Sequence, residues 1–355
     1  MSTLSRQRRD GFTMLEMLIA VSISVIVVAG LYSLFSQQSR QFLKQDQAMN
    51  MHQNLRFASD ILSRSGRMAG YGTGGEVYGV MGWDGSSADN SYGLPPIITW
   101  DAWSGSHDAV TFIYADPSME MMTSPLTIET ASTTTITFPY QRPGYSTKLS
   151  ALSAGDLMIC WDYANVSGIN SFIWEIAADG HASGVVTVLD ASSLLDYSSA
   201  VGANLPPVMH CSRAQVVTFY IDDNEADGVG PGSQDHPVLM MDLDFDFVDG
   251  TPDGDDIPLV DDIEDLQLAY CPAEGTCTDG SSDWVNTLTR DQSLEAWMMR
   301  YSLVSRSSRV SRTETEVTAP QSLENHAPTG TKDGYSRTSH TSKVMFRNLR
   351  LLHDF

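Results

Sequence analysis

The chain has 355 residues, 42% of them hydrophobic and 18% charged, a composition suited to a folded protein with enough length for a sizeable core. Its formal net charge is -23, with 44 Asp and Glu against 21 Lys and Arg, and a surface that acidic repels phosphate backbones and excludes direct nucleic-acid binding by the bulk of the protein. The acid is concentrated, because no Lys or Arg occurs from 214 to 289.

The first element is apolar. "RRDGFTMLEMLIAV", residues 8–21, opens a run that continues to Phe35 and in which Glu16 is the one charged side chain. Residues 12–35 suffice to cross a bilayer, which takes about 20 apolar residues at about 1.5 Å each. Arg6, Arg8 and Arg9 precede the run, and positive residues stay on the cytoplasmic side, so the rest of the chain faces outward. No small-x-small secretory cleavage site stands out after the run, the nearest approach being the "VVAG" around Ala29. A carboxylate within such a run costs roughly 2.5–3.5 kcal/mol on insertion scales. A plain anchor leaves Glu16 without a reason.

"GFTMLEMLIAV" resembles the N-terminal signature of type IV prepilins and the related pseudopilins. The resemblance implies a leader over 1–11, a cut between Gly11 and Phe12 by a prepilin peptidase, and methylation of the new N-terminal Phe12. It makes Glu16 the family's glutamate, with a role in assembly. The chemistry is consistent: glycine lets the backbone enter a tight cleft, and a carboxylate neutralises the amine that cleavage creates at the edge of the bilayer, since a paired charge in lipid costs far less than a lone one.

Beyond Phe35 the sequence turns polar without a Pro or Gly up to Ser65, and Met51, Leu55, Ala58 and Leu62 recur on one helical face. One helix is expected over 12–65, membrane-spanning to about 35 and packed on a globular domain in its second half. Gly66, Gly70, Gly72, Gly74 and Gly75 are expected to end it, within a Gly-rich connection over 66–94. From 95 to 355 the period changes to that of strands: "DAVTFIYA", "TTTITF", "GDLMICWDY", "SFIWEIA", "GVVTVLD", "AQVVTFYI" and "PVLMMDLDFDF" lie between Gly, Pro, Ser and Asp clusters. The expected fold class is α+β, a long N-terminal helix against a β-rich C-terminal domain. "TAPQSLENHAPTGTKDGYSRTSH" reads as an exposed loop before a last strand, "KVMFRNLRLL".

A second resemblance, to the PilW family of minor pilins, spans most of the chain. "LRFASDILSRSGRMAGYG", "HDAVTFIYA", "LSAGDLMICWDYANVSGINSFIWEIA", "IPLVDDIEDLQLAY", "MMRYSLVSRSSR" and "FRNLRL" are similar to family segments in the same order, although the Asp-rich insert over 222–256 and the "CPAEGTC" loop depart from the pattern. The resemblance implies a non-enzymatic type IV pilus subunit that primes assembly at or near the tip. Its partners would be other minor pilins, the major pilin, the prepilin peptidase, the inner-membrane assembly platform and membrane lipid. It would sit in the inner membrane with its C-terminal domain in the periplasm and then in the surface pilus, in contact with adhesion targets. The competing readings are a minor pseudopilin of a type II secretion system and a membrane-tethered exported enzyme.

Hydrolase signatures are absent, and His107 and His236, each beside an aspartate, read as loop residues. Cys160, Cys211, Cys271 and Cys277 allow three pairings in an oxidising compartment. The short separation of Cys271 and Cys277 pairs them, which leaves Cys160 with Cys211; free buried thiols are the alternative. In "DDNEADGVGPGSQD", Asp223, Glu225 and Asp227 followed by Gly228 imitate the first half of a calcium loop, but the twelfth position is Gln234 rather than a bidentate glutamate. Ca2+ is the only candidate cofactor, and a solvated acidic face is the competing account, favoured by the incomplete pattern.

Overall fold

The computed structural model describes residues 13–73, 77–78, 95–104, 107–123, 133–139, 142–161, 171–178, 184–189, 209–222, 236–243, 256–275, 277–278, 283–308, 324 and 334–350. Two compact units divide the chain, 1–50 and 51–355. One helix, α1 (Met14–Met68, 55 residues), contributes to both. In the first unit its apolar run includes Ser22 and Ser24, whose hydroxyls donate to the carbonyls of Leu18 and Ala20 at 2.8 Å each. That internal satisfaction is what an apolar medium demands of a hydroxyl.

In the second unit the expected stripe is the buried face: Met51, Leu55, Ala58 and Leu62, joined by Ser65 and Gly66. The helix runs past its expected end. Gly66 is helical rather than a stop, and the missing side chain admits Val344, whose Cγ1 would lie 3.0 Å from an added Cβ. The stop comes at Gly70 and Gly72, with φ of +80° and +75°, a left-handed conformation that favours glycine.

The largest sheet has nine strands built on β9 (His210–Asp222), with β1 (Val77–Tyr78), β2 (Ile97–Ser104), β3 (His107–Ala115), β4 (Met121–Met122), β6 (Leu157–Trp161), β7 (Ser171–Glu175), β10 (Val238–Asp242) and β11 (Ile257–Asp261) around it. β9 pairs antiparallel with β3 and β4 along one edge and with β6 and β10 along the other. β2 extends the sheet beyond β3, β11 beyond β10, and β7 with the parallel β1 beyond β6. A second sheet has the order β12 (Ile263–Cys271), β13 (Met298–Arg306), β14 (Arg337–Met345), and a ribbon joins β5 (Thr133–Thr137) to β8 (Val185–Leu189). Short helices α2 (Tyr145–Ser150), α3 (Arg290–Glu295) and α4 (Arg347–Arg350) complete the described elements. The last strand begins earlier than expected, so Arg337 to His340 are sheet residues and not loop.

The main core lies where the helix meets both larger sheets. It joins Leu55, Ala58 and Leu62 to Phe112, Phe219, Leu239, Tyr301, Leu303 and Val344. Polar groups fix the helix over β13: the Tyr301 hydroxyl is 2.8 Å from Ser59 Oγ and 2.7 Å from Ser63 Oγ. A second core, containing Phe172, Trp174, Val186 and Val188, holds the ribbon against β6 and β7. The Cys160–Cys211 disulfide joins directly opposite residues of β6 and β9, and Cys271–Cys277 closes a loop after β12.

Candidate assembly site at the N-terminal helix

Gly11 and Phe12 lie outside the described residues. The next turn is described, and it gives Glu16 a partner within its own chain. The Thr13 backbone N–H and hydroxyl both donate to Glu16 Oε2 at 3.0 Å, and Thr13 Oγ1 accepts from the Glu16 N–H at 3.3 Å. This is a reciprocal capping box, which satisfies donors that the first helical turn otherwise leaves open. The spacing Thr13-x-x-Glu16 signals it, and reading Glu16 only as a partner for the amine that cleavage creates missed it. Both residues are exposed, so the carboxylate is reachable from outside the chain. From Met14, α1 is long and apolar enough to cross a membrane.

The strand-rich unit contains three histidine–carboxylate pairs: His107 Nδ1 to Asp265 Oδ1 at 3.0 Å, His210 Nδ1 to Glu120 Oε1 at 2.7 Å, and His236 Nδ1 to Asp262 Oδ1 at 2.7 Å. His107 is therefore not a loop residue. It begins β3 and ties the large sheet to β12, as the neighbouring Asp108 does by accepting from the Leu268 N–H at 2.7 Å. His236 precedes β10 and bonds Asp262, which adopts φ +61°. The partners are far apart in sequence, so local spacing carries no signal of these pairs.

The calcium-loop candidates Asp223, Glu225 and Asp227 lie outside the described residues. Asp222 at the end of β9, Asp242 at the end of β10 and Asp256 before β11 act on the Tyr220 phenol. Burial raises the Tyr220 pKa far above its ordinary 10.0, and Asp256, Asp222 and Asp242 push it the same way. Among the described residues no three His, Cys, Asp or Glu side chains form a group able to hold a metal ion.

No curated protein matches the chain significantly. Among solved structures it is similar to a type IV-like pilin from Thermus thermophilus, with 10% identity and a TM-score of 0.33 over 84% of this chain and 97% of that one. Residues 6–32, which hold Gly11, Phe12, Thr13 and Glu16, match the family described as the prokaryotic N-terminal methylation motif, and the chain thus carries a type IV pilin signal at the head of α1.

Proposed function

We propose that this chain is a minor pilin of a type IV pilus, PilW-like, that helps prime assembly and resides at or near the tip. The observation that carries the reading is the methylation motif over 6–32, set at the head of a helix able to span a membrane. The prepilin peptidase cuts between Gly11 and Phe12 on the cytoplasmic side, and Phe12 is methylated. Glu16 then meets the charged amine of an adjacent subunit. Before that encounter its carboxylate is held by Thr13, which lessens the cost of carrying it in the membrane. The β-rich unit faces the periplasm and contacts other minor pilins and the major pilin. Its role is structural, without catalysis.

The test begins with the mature N-terminus. Mass spectrometry of the chain from piliated cells is expected to find N-methylated Phe12, and an intact Met1 end would refute the processing. Gly11→Leu is expected to leave uncut precursor. Glu16→Ala is expected to preserve abundance and insertion but abolish recovery of the chain in sheared filaments, whereas Thr13→Val, which removes only the hydroxyl, should preserve that recovery. A minor pseudopilin of a type II secretion system would have the same N-terminus. Deleting the gene separates the two, since loss of pili with intact protein secretion supports the pilus reading and the reverse result overturns it.

A further inference from the structure

The loop after β12 begins on a fixed strand. Cys271 ends β12, lies opposite Met298 of β13, and accepts through its carbonyl from the Trp297 N–H at 2.9 Å. Cys277 stands six positions on, closed onto Cys271 by the disulfide, and the carbonyl of its neighbour Thr278 accepts from the Trp284 indole N–H at 3.1 Å. Trp284 in turn covers two cations. The Arg300 guanidinium lies 4.3 Å and the Lys343 ammonium 5.4 Å from its ring centroid. Arg300 and Lys343 are directly opposite each other on β13 and β14, an arrangement of like charges that a sheet disfavours and that the negative face of the ring moderates. Val285 exchanges backbone hydrogen bonds with Tyr270 at 2.7 and 2.9 Å, so the chain is fixed again immediately after Trp284.

The two disulfides differ in access. Cys160 and Cys211 are fully buried on β6 and β9, and Cys271 is buried too, but Cys277 is partly exposed. Thiol–disulfide exchange needs a sulfur that an attacking thiolate can reach, and of the four only Cys277 Sγ belongs to a residue open to solvent. The reduced pair also fits where it stands. Cys271 Sγ lies 3.1 Å from the Ala273 carbonyl oxygen and Cys277 Sγ 3.7 Å from that of Asp283, so each thiol has an acceptor at hand.

We propose that Cys271–Cys277 is a redox-sensitive latch, whose reduction by a dithiol frees Trp284 and uncovers Arg300 and Lys343. A thiolate of the reductant attacks Cys277 Sγ, the S–S bond breaks, and Cys271 leaves as a thiolate that takes up a proton. The second thiol of the reductant then attacks the mixed disulfide, which releases Cys277 as a thiol and closes the reductant's own disulfide. Two electrons and two protons pass from the reductant to the protein. Without the cross-link the Thr278 carbonyl loses its fixed place and the indole its anchor. A chain of net charge -23 then presents two adjacent cations to anionic partners. Cys160–Cys211 stays closed and keeps β6 on β9.

Differential alkylation of the folded full-length chain in detergent tests the latch. Dithiothreitol at about 1 mM, followed by a maleimide and peptide mass mapping, is expected to label Cys271 and Cys277 about tenfold faster or more than Cys160 and Cys211. Tryptophan emission is expected to shift to the red as the labelled fraction grows, with no such shift in Trp284→Phe. Cys271→Ser/Cys277→Ser should show the red-shifted emission without reductant and an unchanged circular dichroism spectrum. Reduction of both disulfides at one rate, of Cys160–Cys211 first, or of neither would overturn the proposal, as would reduction of the loop with the emission unchanged.

Discussion

Replacing Cys160 and Cys211 together by alanine tests how the second unit holds its strands. The two residues lie directly opposite each other on β6 and β9 with Cα atoms 4.0 Å apart, and both are fully buried. The cross-link closes a sequence separation of 51 residues. In the chain-entropy treatment a loop of that length limits the unfolded ensemble by about 4 kcal/mol, and loss of two buried sulfur atoms adds on the order of 1 kcal/mol. The control is Cys271→Ala/Cys277→Ala, with a separation of only 6 residues, for which the same treatment gives about 2 kcal/mol. Guanidinium unfolding of the full-length chain in detergent, followed by tryptophan fluorescence, measures both. The expected outcome is a lower midpoint for each variant, larger for the first pair. Its slope should also steepen, since an unfolded chain without the cross-link exposes more surface. Against a total stability of about 5–15 kcal/mol the first loss is a large share. A change under about 1 kcal/mol, or an equal or larger change for the short loop, would refute the reasoning.

Three further outcomes follow from particular residues. Gly72→Ala should destabilise the second unit by about 2 kcal/mol or more in the same assay, because φ is +75° and the new Cβ would lie 2.6 Å from Ala115 Cβ; wild-type stability would contradict the tight turn. Burial raises the folded pKa of Tyr114, Tyr220 and Tyr270 above 10.0, so the stability they contribute is present below pH 10 and is lost as pH rises past it. Unfolding midpoints should therefore fall above pH 10, less steeply in Tyr220→Phe, and an unchanged slope in that variant would remove Tyr220 from the account. Calorimetric titration of the full chain with Ca2+ should show no saturable micromolar site, as a solvated acidic segment predicts; a stoichiometric site abolished by Asp223→Asn would establish the loop instead.

What was legible in the sequence was whatever repeats locally. The spacing of Met51, Leu55, Ala58 and Leu62 marked the buried helical face, and the strands of β3, β6, β7 and β10 coincide with runs of branched and aromatic residues. The prepilin-type motif was equally plain because its parts lie within a dozen positions. The partition into three sheets was not legible. β3 meets β9 across roughly a hundred residues, for example Thr111 with Thr218, and strand periodicity does not name a partner. Gly66 was misread for a related reason: glycine ends helices or permits close packing, and only Val344, far along the chain, decides between them. His107 read as a loop residue because its partner Asp265 lies 158 positions away, beyond the reach of local spacing.

The closing of α1 draws on residues far along the chain. Asn348 Nδ2 donates to the carbonyls of Arg67 and Met68 at 3.0 and 3.2 Å, and Val344 of β14 covers Gly66. The helix is made before them, and although the Tyr71 N–H already closes the Met68 carbonyl, the Asn348 and Val344 contacts wait for residues some 280 positions later. A chain that stops before Arg337 therefore lacks the Val344 cover over Gly66 and the Asn348 donor, leaving apolar surface exposed of the kind that chaperones recognise.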